Sequence, residues 1–262
     1  MTLRTRILLA LAILASMALV FLLPHASPTA VDLTAVLQPP SRSHPLGTDD
    51  LGRDVWALTA VGFWRTLTVV FTASLTSILI GVPLGLLAGY ARGAVDAVIM
   101  TVTDLTMIIP TFVAALLVTA VVGLTPFTAG LVLGVFGAGA YVNQTRALTL
   151  SITSHDYVRA EVLLATPTPA VLMRCILPGV GGPLMRYFGA SASGTVLAYA
   201  GLAFIGLGID TTVPDWGTML FRYRSQVDHA LLLLWPAAGI LILSVVFQML
   251  ADPAPNRRSN DD

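Results

Sequence analysis

The sequence predicts an all-α integral membrane protein with six helices that cross the bilayer. Its composition is the first observation: 56% of the 262 residues are hydrophobic and only 11% are charged, whereas soluble domains carry roughly 25% charged residues. The second is that six apolar runs approach or exceed the length of about 20 helical residues that a membrane span requires. Only one charged residue, Asp104, lies inside any of these runs.

The six apolar runs are the candidate spans. They cover residues 7–23, 66–90, about 97–122, about 127–145, 187–209 and 230–251. The first run also allows a second interpretation, a cleaved secretory signal peptide. The apolar core of such a peptide holds about 7–15 residues, and the run here is longer, so we favour an uncleaved anchor helix.

The placement of arginine predicts the orientation. All 14 basic residues are arginine, and with the N-terminus inside, nine fall on the inner side and five on the outer side. Cytoplasmic loops carry the excess of positive charge in membrane proteins, so both termini are predicted to be cytoplasmic. The chain then divides into an anchor helix with an external segment (1–65), a transmembrane domain (66–251) and a cytoplasmic tail (252–262).

Small residues recur at four-residue spacing within the spans. This spacing places them on one face of a helix and lets two helix backbones approach closely. The sets are Gly81, Gly85 and Gly89 in the second run, Gly130 and Gly134 in the fourth, and Gly189 and Ser193 in the fifth. The pattern predicts a packed bundle.

The external segment contains the string SRSHPLGTDDLGRDVW, which is punctuated by proline and glycine. It predicts an ordered loop that leads into a short helix, with Thr48 or Asp49 as the cap. Asp49, Asp50 and Asp54 are carboxylates that could bind a metal ion. We favour the other interpretation, in which they are caps and partners for Arg53.

Residues 151–185 form the longest inner segment, and they predict two short helices joined by a tight turn. Thr153 and Asp156 have the spacing of a capping box, and the first helix is expected to run to about Leu164. Pro167 and Pro169 then break it. Thr168 is predicted to cap the second helix, which ends at residues 178–179.

Both helices of this inner hairpin are predicted to have one apolar and one charged side. One interpretation is an amphipathic hairpin that lies on the lipid surface. The other is a docking element that inserts into a groove of a soluble partner.

The string DYVRAEVLLATPTPAVLMRCILPG in this segment resembles the coupling loop of binding-protein-dependent ATP-binding-cassette (ABC) importer permeases. The family signature is Glu-Ala-Ala, a glycine four residues later, and then Ile-x-Leu-Pro. Matching residues are Ala160, Leu177 and Pro178. Departures are Arg159 at the Glu position, Glu161 at the second Ala, Ala165 at the Gly and Cys175 at the Ile. Glycine would permit a positive φ at position 165, whereas alanine is strained there, so we expect Ala165 to keep a helical or ordinary turn conformation.

Other blocks resemble the dipeptide, oligopeptide and nickel permeases of this family. They are HPLGTDDLGRDVW at 44–56, AGYARGAVD at 88–96 followed by Asp104 and Pro110, and LAFIGLGIDTTVPDWGTML at 202–220. The resemblance extends from about residue 37 to 250 and implies the six-span fold of type I importer permeases. Many peptide permeases have a glutamate where this chain has Tyr199, so nickel or metal-chelate import remains beside peptide import as an implied function.

The resemblance also implies partners, a location and candidate site residues. The partners are a second homologous permease, two ATP-binding subunits and an extracytoplasmic substrate-binding protein, and the location is the bacterial inner membrane. Coupling to the ATPase is implied for Asp156, Tyr157, Arg159, Ala160, Glu161, Ala165, Leu177 and Pro178. Candidates for the pathway or gate are Asp104, Pro110 and Tyr199. The residues implied for the external segment are His44, Gly47, Thr48, Asp49, Gly52, Arg53 and Asp54.

Enzymatic motifs are missing from the sequence. A phosphate-binding loop requires a lysine, and the chain contains none, so we expect ATP to be used only by partner subunits, with no cofactor on this chain. The string GASASG at 189–194 is interpreted as helix packing rather than as a nucleophile site.

The alternative function is a stand-alone secondary transporter driven by an ion gradient, for which inverted repeats and several intramembrane charges would be expected. The single intramembrane charge, Asp104, has two interpretations. It either lines the pathway or inner gate, or it stabilises the N-terminal part of its helix.

Overall fold

The computed structural model describes residues 3–23, 27–206 and 214–251, and the regular structure in these ranges is helical. The helices, in chain order, are α1 Leu3–Phe21, α2 Val55–Ala91, α3 Gly93–Ile108, α4 Thr111–Val122, α5 Pro126–Ile152, α6 Asp156–Leu163, α7 Thr168–Ala170, α8 Leu177–Ile205, α9 Trp216–Tyr223 and α10 Ala230–Ala251. A π-helix, Val171–Ile176, joins α7 to α8, and a short 3-10 helix, Val227–His229, precedes α10.

Four helical stretches in the described ranges are long and apolar enough to cross a membrane: α2, α5, Thr168–Ile205 and α10. The pair α3 and α4 makes a fifth if it is counted as one broken span, because the two helices meet at an angle of 70°. The apolar helix α1 is shorter than these. Length and composition therefore show four or five spans, and the count of six remains a prediction.

Two predicted boundaries are wrong. The helix after the external segment is not a short separate one, because α2 continues for 37 residues from Val55 through the second apolar run. Its cap is neither Thr48 nor Asp49 but Asp54, whose carboxylate accepts a hydrogen bond from the backbone N–H of Trp56. The third run is broken at Pro110, because α3 ends at Ile108 and Ile109 is extended before this proline.

The bundle is built around α2, which packs along α5 through the predicted glycine face. A methyl group added at Gly81 would collide with Cβ of Tyr141, and one at Gly134 would lie 2.7 Å from the carbonyl oxygen of Ala73. Real Cβ atoms do not approach their neighbours so closely, and the small residues therefore set how near the two helices come. The predicted role of the glycine faces is confirmed.

The remaining helices complete the bundle around this pair. α8 packs on α2, α10 packs on α8, and α1 lies against α10. Gly189 faces α10, where an added Cβ would lie 2.7 Å from the carbonyl oxygen of Phe247. The string GASASG therefore packs through Gly189, Ala192 and Ser193, which are buried, in agreement with the interpretation as helix packing.

Candidate functional site

Two groups of candidate residues lie at opposite ends of α2. Residues 27–54, which we call the N-terminal loop, precede α2 and pack against α9. Residues 153–178, which we call the hairpin, lie beside the C-terminal end of α2, where Leu86 joins Val158 and Ile176 in one apolar cluster. We refer to these as the loop end and the hairpin end of the bundle.

Asp49 is the centre of the N-terminal loop. Its side chain is fully buried (0% exposed) and accepts hydrogen bonds from the backbone N–H of Leu51 and of Arg53. It also accepts bonds from Nε of Arg53 at 2.7 Å and from the hydroxyl of Tyr223 in α9 at 2.9 Å. Burial raises the pKa of Tyr223 above its ordinary value, so the hydroxyl retains the proton that it donates. The contact ties the loop to α9.

Two glycines give the loop its shape. Gly47 and Gly52 have φ angles of +82° and +70°, which favour glycine over residues with a side chain. A Cβ atom at Gly52 would also collide with the carbonyl oxygen of Asp32. The hydroxyl of Thr48 donates to the carbonyl of Ala35 and accepts from the N–H of Gln38.

The three aspartates considered for a metal site have separate protein partners. Asp49 pairs with Arg53, Asp50 pairs with Arg222 at 3.2 Å, and Asp54 caps α2 and faces His44 at 3.5 Å. Within the described ranges, no group of three or more His, Cys, Asp or Glu residues is arranged for a metal ion. The interpretation as caps and ion-pair partners therefore accounts for all three.

Tyr199 lies in a buried polar cluster at the loop end. Its hydroxyl donates a hydrogen bond of 2.9 Å to Oδ2 of Asp215, and Nε of Arg65 is 3.9 Å from the same oxygen. Asp215 also caps α9, because its Oδ1 accepts the backbone N–H of Thr218 at 3.0 Å. Burial raises the pKa of Asp215 above its usual range. Sequence reasoning selected Tyr199 but missed Arg65 and Asp215.

The other two pathway candidates have different surroundings. Asp104 is exposed on α3, whereas Tyr199 is almost fully buried. Pro110 is the residue immediately before α4, at the 70° bend. Asp96 of α3 makes a bidentate ion pair with Arg146 of α5. The three pathway candidates, Asp104, Pro110 and Tyr199, therefore do not form a single site.

The coupling candidates of the hairpin lie mostly at the surface. Exposed among them are Asp156, Tyr157, Arg159, Ala160, Ala165 and Pro178, and Glu161 and Leu177 are half-buried. The carboxylate of Glu161 accepts a hydrogen bond of 2.6 Å from the hydroxyl of Thr166. Leu163 and Leu164 are 87% and 76% exposed, so the tip of the hairpin presents a bare apolar surface beside charged groups.

The predicted helix limits within the hairpin need correction. Thr153 does not cap α6: it ends α5, and its hydroxyl bonds back to the carbonyl of Leu150, while His155 stands before α6. Thr168 is already inside α7, with Pro167 at the cap position. The second helix does not end at Pro178, because the π-helix shifts the hydrogen-bond register ahead of this proline and the chain continues into α8.

Ala165 was expected to keep an ordinary backbone conformation, and this is wrong, because its φ is +56°. The N–H of Ala165 bonds to the carbonyl of Val162, and the N–H of Thr166 bonds to the carbonyl of Glu161. This is the Schellman pattern, which closes a helix only if the residue after the cap is left-handed. The two hydrogen bonds offset the strain of alanine in that conformation.

Comparison with known proteins agrees with this architecture. Residues 81–254 match the model of the family described as "Binding-protein-dependent transport system inner membrane component". A glutathione transport system permease protein of Pectobacterium atrosepticum is 29% identical over 88% of this chain and 77% of its own length. A di/tripeptide transport system permease protein of Pseudomonas aeruginosa is 31% identical over 79% of this chain and 67% of its own.

A third relative is a probable D,D-dipeptide transport system permease protein of Escherichia coli, 31% identical over 86% of this chain and 76% of its own length. The family match covers more than half of the chain, and it includes the hairpin and the helices from the C-terminal part of α2 to α10. Several apolar helices of spanning length are consistent with a multi-pass protein of the inner membrane. The chain therefore belongs to the binding-protein-dependent transport system inner membrane components, a family of transporter permease subunits rather than enzymes.

Proposed function

We propose that this chain is the permease subunit of an ABC importer and forms half of its translocation pathway. Its partners are a second homologous permease, two ATP-binding subunits and a substrate-binding protein outside the membrane. ATP is consumed by the partner subunits, and this chain binds no cofactor. The family match supports this proposal, because transport that depends on a binding protein requires a receptor. A stand-alone secondary transporter, the alternative function, requires no such receptor.

The hairpin is the structural observation that carries the proposal. Leu163 and Leu164 lie exposed at the tip of α6, next to Arg159 and Glu161. An exposed apolar patch rimmed by charge is typical of a protein-binding surface. A short amphipathic helix of this kind fits a groove on a soluble partner, and the ATP-binding subunit is the partner that a permease needs.

Small peptides are the substrate class we propose. All three relatives described above are named as transporters of glutathione or of short peptides. The receptor selects the substrate first in such systems, so the test begins there. Uptake of a labelled dipeptide or of glutathione by the complete reconstituted complex, dependent on ATP and on the receptor, would support peptides. Receptor-dependent uptake of a nickel chelate alone would overturn this assignment.

Leu163→Glu tests the coupling role of the hairpin. A carboxylate in the partner's apolar groove would be buried without a partner, which costs several kcal/mol. We expect normal insertion into the membrane but loss of co-purification with the ATP-binding subunit and of ATP-driven uptake.

The matched control is Leu33→Glu, because Leu33 is also exposed (72%) but lies in the N-terminal loop. It should keep co-purification with the ATP-binding subunit. If Leu163→Glu assembles and transports like the parent, the hairpin is a lipid-surface element instead.

We also infer six spans with both termini in the cytoplasm. The support for α1 as the first span is that Leu14, Met17, Ala18 and Phe21 pack against the main apolar cluster of the bundle. Cys175, the single cysteine, lies half-buried in the π-helix of the hairpin. In right-side-out spheroplasts a membrane-impermeant maleimide should label it only after the membrane is opened. Labelling from outside would reverse the orientation.

A further inference from the structure

Three polar side chains from three helices meet inside the loop end of the bundle. Arg65 comes from α2, Tyr199 from α8, and Asp215 stands at the start of α9. Tyr199 and Asp215 are each 1% exposed, and Tyr199 belongs to an apolar cluster that includes Val69 and Leu202. The carboxylate of Asp215 is therefore held where water has little access, beside the side chain of Arg65, which is 20% exposed.

In this cluster the carboxylate of Asp215 has hydrogen-bond donors for both oxygens, whereas Nε of Arg65 lacks an acceptor among the described residues. Both carboxylate oxygens of Asp215 accept bonds, from the N–H of Thr218 and from the hydroxyl of Tyr199. Nε of Arg65 is buried and has no hydrogen-bond acceptor in the described part of the chain. Its distance of 3.9 Å from Asp215 Oδ2 is within ion-pair range but too long for a hydrogen bond.

A small movement would change this contact. Charge-assisted N–H···O bonds have lengths of about 2.7–2.9 Å, so a shift of about 1 Å between α2 and α9 would form one. The same shift in the other direction would separate the two charges. By contrast, the hydrogen bond from Trp216 Nε1 of α9 to the carbonyl of Thr59 of α2 is already formed, at 3.0 Å.

We propose that Arg65 and Asp215 form a buried latch that holds α9 against α2 and α8, and that making and breaking this latch is a step of the transport cycle. Asp215 is a positioning residue that acts through the helices. Tyr199 orients its carboxylate by the hydrogen bond of 2.9 Å. Many peptide permeases have a glutamate where this chain has Tyr199. This difference then argues less against a peptide substrate, because Asp215 places a carboxylate next to Tyr199. This inference rests on the proposed transport function.

The competing explanation is that Asp215 serves only as the cap of α9. Asn and Asp are equally good caps, so Asp215→Asn removes the charge while keeping an acceptor for the N–H of Thr218. It leaves Arg65, whose side chain is 20% exposed, without this counter-charge. If the cap is the only role, Asp215→Asn should behave like the parent.

The experiment compares ATP-driven uptake by reconstituted complexes at equal assembly. Asp215→Asn should lower uptake by about tenfold or more, because Arg65 then has no carboxylate with which to form the latch. Tyr199→Glu combined with Asp215→Asn returns one carboxylate to the cluster from a different helix. Because a carboxylate is again present in the cluster, this double variant should restore uptake to within about threefold of the parent, a difference of less than about 1 kcal/mol.

A charge-free variant protects the test against simple misassembly. Arg65→Gln with Asp215→Asn contains no unpaired charge, so it should assemble at the parent level and still fail to transport. Parent-like uptake by this double variant, or by Asp215→Asn alone, would overturn the latch. Absence of uptake by the parent complex itself would instead count against the proposed function.

Discussion

The N-terminal loop and the hairpin lie at opposite ends of the same helix, and they are stabilised in opposite ways. The loop buries polar groups that satisfy one another, as Asp49 does with Arg53 and Tyr223. The hairpin buries one apolar cluster beneath α6 and leaves Leu163 and Leu164 exposed at its tip. The buried charge network around Asp49 is therefore satisfied within this chain, whereas the tip of the hairpin exposes a surface that a partner could cover.

This difference predicts where substitutions act. A change in the loop should alter the stability of the isolated chain, because its contacts are internal. A change at the tip of the hairpin should leave that stability almost unchanged and should have an effect only when the partner binds. The expected effects follow from the burial of each group, since a buried unpaired charge costs far more than an exposed one.

The largest effect on the isolated chain is expected for Asp49→Ala. It removes the acceptor of four hydrogen bonds and leaves Arg53, which is 4% exposed, without its counter-charge. Breaking a buried pair in this way costs about 3–5 kcal/mol. The measurement is the unfolding free energy of the purified chain in mixed detergent micelles.

Asp50→Ala is the matched control for this change. Asp50 is the next residue, and its ion pair with Arg222 is about one-third exposed. Such pairs contribute about 0–1 kcal/mol. Equal losses for the two variants would show that the loop is not held by its buried charge network, and the contrast with the hairpin would disappear.

The sequence predicts the apolar helices well and the positions of their breaks poorly. The last span was predicted at 230–251, and α10 has these limits. α2 extends beyond its predicted start because Arg65 interrupts the apolar run without interrupting the helix. The structure places this arginine near Asp215, a partner 150 residues away that no periodicity reveals.

Proline illustrates why the breaks are hard to predict. Pro83 lies within α2 without ending it, whereas Pro110 ends α3. A proline inside a helix costs about 3 kcal/mol, and packing must offset that cost. Gly81 and Gly85 on either side of Pro83 are pressed against α5. Most of α3 is exposed, so little packing holds a helix together across Pro110.

The candidate site was likewise predictable only in part. The loop glycines at 47 and 52 could be selected from the sequence, and both have positive φ angles. Ala165 could not be interpreted correctly, because an alanine gives no signal for a left-handed conformation. The hydrogen bonds of the helix end decide its conformation, and they depend on the chain reversing after α6.

The smallest expected effect belongs to the hairpin, at Ala165. A left-handed conformation costs a non-glycine residue about 1–2 kcal/mol, and glycine removes this strain but loses about 0.5–1 kcal/mol of backbone entropy on folding. Ala165→Gly should therefore stabilise the end of α6 by a net amount of about 0.5–1 kcal/mol. Slower amide hydrogen exchange at position 165 and at Thr166, whose N–H groups close the helix, would measure it.

Ala165→Val is the matched opposite variant, because a β-branched side chain is strained further at φ of +56°. Amide exchange at the same two positions should be faster in this variant. The free energy of global unfolding should change by no more than about 1 kcal/mol in Ala165→Gly, which is less than the loss expected for Asp49→Ala. Identical exchange in all three chains would mean that the hairpin tip is not held in the Schellman conformation before the partner binds.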